Sequence, residues 1–64
     1  MGGASLDEIL ALEAEGFFLS AHDRAMAAIE AGAEEPRLRH RAVLTLARSG
    51  ATARALELFE RLRL

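Results

Sequence analysis

Apolar residues recur every three or four positions in four separate segments of the chain, which is the period of an amphipathic α-helix. The segments are separated by glycine or proline, as expected of helix boundaries. Alanine and leucine, both strong helix formers, supply 14 and 11 of the 64 residues. The pattern predicts an all-α fold of four short helices, with stripes at Leu6, Ile9 and Leu10, at Ala21, Ala25, Ala28 and Ile29, at Leu38, Ala42, Val43, Leu46 and Ala47, and at Ala55, Leu58, Phe59 and Leu62.

Capping signals precede each stripe. Residues 5–8 and residues 20–23 both read as capping boxes, in which a serine and an acidic residue satisfy the first free amides of a helix. The second helix is expected to begin either at Phe17 or after residue 20. Pro36 follows two glutamates and suits the first turn of the third helix, and Thr52 is the expected N-cap of the fourth.

Glycines mark the helix ends, since Gly16, Gly32 and Gly50 each follow a stripe and tolerate positive φ. The linkers are short, so neighbouring helices should be antiparallel. We expect a single domain over residues 1–64, built from one helical hairpin at about 5–32 and a second at about 36–63.

The two hairpins also resemble each other in sequence. At one common offset, matched pairs include Leu10 with Leu44, Leu12 with Leu46, Gly16 with Gly50 and Ala21 with Ala55. A second alignment, with an offset shorter by four, matches residues 21–30 to residues 51–60. Both hold if the first hairpin carries four extra residues, 17–20, in its turn. The alternative is a four-helix bundle without repeats.

The second hairpin resembles a tetratricopeptide (TPR) repeat, whose period of about 34 residues equals the offset of the first alignment. Gly50 in its turn is followed by Ala55 and, four residues later, Phe59, as in the second TPR helix. Residues 16–62 are further similar to TPR segments of bacterial multidomain signalling or conflict-type proteins, in which a Gly-acidic-Phe-Phe-Leu element precedes a Leu-Arg-rich helix and Arg-x-Gly-Ala-Thr. The resemblance implies a TPR-like scaffold or coupling module.

Charge is divided between the two halves of the chain. Residues 1–35 carry a net charge of −7 and residues 36–64 a net charge of +5. One consequence is head-to-tail association of copies, basic half against acidic half, through a heterologous contact. The alternative is that the two halves attract each other within one monomer.

A basic face is predicted on the third helix, where Arg37, His40, Arg41 and Arg48 have broadly helical spacing. In the TPR resemblance, Arg37 and Arg41 match a basic pair that grips a carboxylate-ended peptide. The companion polar positions fall on Leu6 and Leu10, so the full clamp is absent. A receptor for acidic peptides is therefore an alternative function, and nucleic-acid binding is not expected because no aromatic residues interleave with the arginines.

Several large apolar residues cannot all be buried in one small core. Three of them are consecutive, at positions 17–19, and Leu56 and Leu64 lie off the stripe of the last helix. Small chains bury too little surface to be very stable alone. We expect an apolar partner-binding surface, and a homo-oligomer or a larger protein partner, drawing on Phe17, Phe18, Leu56, Phe59, Leu62 and Leu64.

The residue types and their spacing do not indicate a catalytic site. The chain has no cysteine and only two histidines, without the spacing of a metal or nucleophile site. We expect no enzyme activity, no cofactor and no metal. No apolar run reaches the roughly 20 residues needed to span a bilayer, so we expect a cytoplasmic location and no membrane partner. A third alternative is a fragment of a longer helical repeat array with no independent function.

Overall fold

A computed structural model of the chain describes residues 6–63. In chain order its elements are α1 (Leu6–Ala14), α2 (Phe18–Glu30), α3 (Pro36–Arg48) and α4 (Thr52–Leu62). Residues 6–63 contain no strand, which confirms the predicted all-α class. The capping box at residues 5–8 includes Ser5, which lies outside the described residues, as does Leu64.

The turn after α1 is closed by two backbone hydrogen bonds. The amide of Gly16 donates to the Glu13 carbonyl at 2.9 Å, and the amide of Phe17 donates to the Leu12 carbonyl at 2.9 Å. This is a Schellman motif, which requires positive φ at the glycine, and Gly16 has φ +84°. The same pair of bonds follows α3 at Gly50, where φ is +103°. The predicted glycine stops at these two turns are therefore confirmed.

Each of these turns leads directly into the next helix. Phe17 (φ −88°, ψ 69°) and Ala51 (φ −90°, ψ 62°) are the N-caps of α2 and α4, and neither side chain makes a capping hydrogen bond. Thr52 is the first residue of α4, so its predicted role as N-cap is wrong. The residue after each glycine both completes the Schellman turn and serves as the N-cap of the next helix. No further residue between turn and helix is left to act as a cap.

The same geometry decides where the second helix begins. It starts at Phe18, so the alternative start after residue 20 is wrong. Residues 18–20 are helical rather than an insertion in the turn. The two helix boundaries at the turn of the first hairpin consequently recur at the same interval in the second hairpin. The end of α1 at Ala14 matches the end of α3 at Arg48, and the start of α2 at Phe18 matches the start of α4 at Thr52.

The start of α3 follows the prediction. Pro36 is the first helical residue, and the Glu35 carboxylate accepts a hydrogen bond from the Arg37 amide at 3.2 Å. A carboxylate suits this place because it satisfies a free amide and opposes the positive end of the helix dipole.

Packing centres on α2 and α3, which share the largest interhelical contact. Helix α1 packs on α2 and touches α3, while α4 packs on α3, giving a thin body of 33 × 27 × 14 Å. The core holds few large side chains, and the largest fully buried ones are Ile9 and Thr45. Its apolar buried members are Ile9, Ala21, Ala25, Ala28, Leu38, Ala42, Ala55 and Leu58. Such a small core leaves little apolar area to stabilise the monomer.

Candidate interaction surfaces

An open apolar groove of about 300 Å³ runs between α3 and α4. The side chains of Leu56 and Phe59 are 62% and 42% exposed there. Leu56 lies one residue past the buried Ala55, so helical geometry turns it away from the core. Exposed apolar surface of this kind marks protein contact sites more often than an isolated exposed residue does. The groove is lined by Val43, Thr52, Ala55, Leu56 and Phe59.

The other predicted apolar residues lie elsewhere. Phe17 is 54% exposed at the α1–α2 turn, and Phe18 is half-buried. The Arg48 guanidinium carbon lies 5.9 Å from the centre of the Phe18 ring, within the range of a cation–π contact. Leu62 is half-buried against the core. The structure therefore brings Leu56 and Phe59 together in one groove, which neither Phe17 nor Phe18 lines.

The predicted basic residues are also divided. A groove of about 330 Å³ between α1 and α3 is lined by Leu6, Leu10, Arg37, His40 and Arg41. Arg48 lies at the far end of α3, beside Phe18, and does not line it. Three of the four predicted basic residues thus share one surface with the two leucines.

The two arginines of this groove already form hydrogen bonds with carboxylates of the same chain. Arg37 makes two hydrogen bonds to Glu35, each of 3.0 Å, and these bonds lower the pKa of Glu35 and raise that of Arg37. Arg41 donates to the Glu13 carboxylate at 2.7 Å. An incoming carboxylate would therefore compete with Glu35 and Glu13 or bind beside them.

Two contacts between helices were not predicted. The first is the bond from Arg41 to Glu13, whose side chain is only 6% exposed and whose second oxygen has no hydrogen-bond partner among residues 6–63. Glu13 lies four residues after Ile9 and therefore on the same side of α1, and this spacing is the sequence feature that indicates its burial. The other contact joins His22 Nδ1 on α2 to the carbonyl of Ala42 on α3 at 2.8 Å. A carbonyl only accepts, so this nitrogen carries the proton.

Residues 6–63 hold no group of three or more histidine or acidic side chains arranged to bind a metal ion. In the same part of the chain, no helix combines the length and apolarity needed to cross a membrane. Comparison with known proteins returns no matching family model, no matching curated protein and no matching solved structure.

Proposed function

We propose that this chain is a non-catalytic protein–protein interaction module that associates with itself or docks on a larger partner. The observation that carries the proposal is the groove between α3 and α4, in which Leu56 and Phe59 are 62% and 42% exposed on a chain whose own core is small. Covering these side chains would add apolar burial that the monomer lacks, at about 25 cal/mol per Å² of area removed from water.

The arrangement of the hairpins supports a TPR-like scaffold. Their turns have the same backbone geometry, and the spacing from Gly16 to Gly50 equals the TPR period of about 34 residues. Ala55 is buried and Phe59 lies one turn further along α4, in the order that the TPR second helix has. Repeat proteins bury the open face of one unit against the next, so an exposed apolar face on the second hairpin fits this architecture.

Light scattering coupled to size exclusion tests the proposal at two salt concentrations. We expect a species heavier than the 6.9 kDa monomer at high micromolar concentration. If opposite charges steer the contact, high salt should reduce the apparent mass through screening. Folded chains that remain monomeric at both salt concentrations would contradict self-association and leave only docking on a larger protein.

A second candidate function is a receptor for acidic peptides. It is favoured by the groove that gathers Arg37, His40 and Arg41 around the apolar Leu6 and Leu10, a setting suited to an apolar side chain next to a carboxylate. Binding of an acidic peptide with a free C-terminus should weaken steeply with salt. The double variant Arg37→Ala with His40→Ala, at two exposed side chains of the groove, should abolish binding while the helical circular dichroism is retained. Unchanged affinity in that variant would exclude this function.

A further inference from the structure

The α3–α4 groove on the second hairpin corresponds in position to a surface of the first hairpin. On the first hairpin, that surface is covered by α3. The matching hairpin turns fix a residue-by-residue correspondence between the hairpins, in which Phe18 matches Thr52. By this correspondence Val43, Ala55 and Phe59 match Ile9, Ala21 and Ala25. All three matched residues of the first hairpin have no exposed surface and belong to the core on which α3 packs.

The fourth apolar residue of the groove also corresponds to a residue that packs toward α3 in the first hairpin. Leu56 corresponds to His22, whose ring contacts the backbone carbonyl of Ala42 on α3. The first hairpin therefore uses these positions to receive a helix. That helix presents Leu38, Ala42 and Thr45 to the interior, a face of mostly modest side chains. The groove on the second hairpin therefore corresponds to a helix-binding surface. No helix within residues 6–63 covers it.

Charge at the rim of the groove specifies which helix suits it. Arg39 lies one turn before Val43 on α3, and Arg63 lies one turn after Phe59 at the end of α4, and both are exposed. Neighbouring α3 and α4 are joined by a short turn and run antiparallel, so the two arginines are at the same end of the groove. Glu60, one turn after Leu56, is exposed as well, so the three side chains sum to a net charge of +1. A helix with small side chains and acidic residues would complement this surface.

The chain itself carries such a helix face. On α1 the residues Asp7, Ala11, Ala14 and Glu15 are all exposed. Their spacing of i, i+4, i+7 and i+8 places them on one side of the helix, opposite the buried Ile9. Two alanines allow close approach of another helix. Asp7 and Glu15 are about 12 Å apart along α1, so one of the two carboxylates at a time lies at the arginine end of the groove.

We infer that α1 of a second copy of this chain occupies the α3–α4 groove, with its outer face of Asp7, Ala11, Ala14 and Glu15 against Leu56 and Phe59. The inference rests on the proposed function and names the occupant of the same groove. Donor and acceptor surfaces lie on different halves of the chain, so the contact is heterologous and leaves one of each open. Association is therefore head-to-tail and extends beyond a dimer.

Two variants, each blocked at one surface, test this geometry. Leu56→Glu places an acidic group on the groove floor, where it repels the acidic face of α1. Ala11→Arg places a basic group on α1, where it clashes with the basic rim. Both sites are exposed, so circular dichroism should remain that of the folded chain. Each variant alone should be monomeric in light scattering, with association weakened at least about tenfold.

Mixing the two variants should restore one contact. The intact α1 of the Leu56→Glu chain can enter the intact groove of the Ala11→Arg chain, giving a mixed species of at least twice 6.9 kDa that neither variant forms alone. If Leu56→Glu fails to fold, the rim variant Arg39→Glu with Arg63→Glu replaces it in the same mixture. Matched controls are Leu19→Glu, at an apolar side chain 59% exposed, and Ala27→Arg, at an exposed alanine of α2. Both should associate like the unchanged chain.

Distinct results would overturn the inference. Association of Ala11→Arg by itself would mean that α1 is not the occupant, and a mixture that stays monomeric would mean that donor and acceptor are not these surfaces. Loss of association in Leu19→Glu but not in Leu56→Glu would assign the contact to the α1–α2 turn. In each of these cases self-association stands, whereas an unchanged chain that is monomeric throughout contradicts self-association itself.

Discussion

Glu13 on α1 and Arg41 on α3, far apart in the chain, meet through a hydrogen-bonded ion pair of 2.7 Å. The carboxylate is almost fully buried, whereas the guanidinium side chain is 33% exposed. The pair lies between the first helix of each hairpin and so links the two hairpins directly. Because burial is unequal, the two partners should respond unequally to substitution.

Removing the arginine of this pair should destabilise the fold. Arg41→Ala leaves the Glu13 carboxylate buried without its cation, and we expect a loss of about 2 kcal/mol in the free energy of unfolding, below the range for fully buried pairs because Arg41 is partly exposed. Urea denaturation followed by circular dichroism measures this value. The matched control is Arg37→Ala, which breaks an exposed pair and should have a much smaller effect because solvent screens that pair. Equal losses in the two variants would contradict the structural role of the Glu13–Arg41 pair.

His22 should contribute to stability through its bond across the central helix pair. His22→Ala removes the hydrogen bond to the Ala42 carbonyl, with an expected loss of about 1 kcal/mol. His40 is exposed on α3, and His40→Ala should change the unfolding free energy by no more than about 0.5 kcal/mol. The two variants are compared by chemical denaturation at one pH. A larger loss for His40→Ala than for His22→Ala would be inconsistent with the contact.

The start of α3 should depend on pH through Glu35. Hydrogen bonds from the Arg37 side chain and amide hold the pKa of Glu35 below the ordinary glutamate value. A carboxyl with a lowered pKa in the folded chain contributes stability above the unfolded-state pKa of about 4.3 and loses that contribution as the pH falls through the lowered pKa. Carboxyl NMR titration should show the lowered pKa, and Arg37→Ala should raise it toward the ordinary value. An unchanged pKa in that variant would exclude the Arg37 side chain as a cause, since the amide of residue 37 is retained.

Local signals in the sequence were sufficient for most of the backbone. Gly16 and Gly50 end their helices because a Schellman turn needs positive φ, and Pro36 begins α3 as its missing amide allows. Thr52 was misassigned as a cap because capping preferences describe isolated helices, whereas here the preceding turn already fixes where α4 starts. The favourable capping box at residues 20–23 lies inside α2 for the same reason.

Contacts between distant residues were predicted less well. Leu56 was identified from helical spacing alone, because a residue off the buried stripe of an amphipathic helix is turned outward. Phe59 belongs to the predicted stripe, yet its side chain is 42% exposed. Spacing along α3 placed Arg48 with Arg37, but the two are about three helical turns apart, and Arg48 instead lies beside Phe18. The partners of residues 13 and 22 depend on how α1 and α2 meet α3, which no local pattern contains.

Amide NMR spectra recorded over a range of chain concentrations test most directly the claim that the α3–α4 groove is an interaction surface. We expect the signals of Ala55, Leu56 and Phe59 in the groove to shift with concentration together with that of Ala11 on α1. The signal of Ala27, on the exposed side of α2, should stay in place. Groove signals that remain fixed up to millimolar concentration, or shifts confined to the α1–α2 turn, would contradict the account.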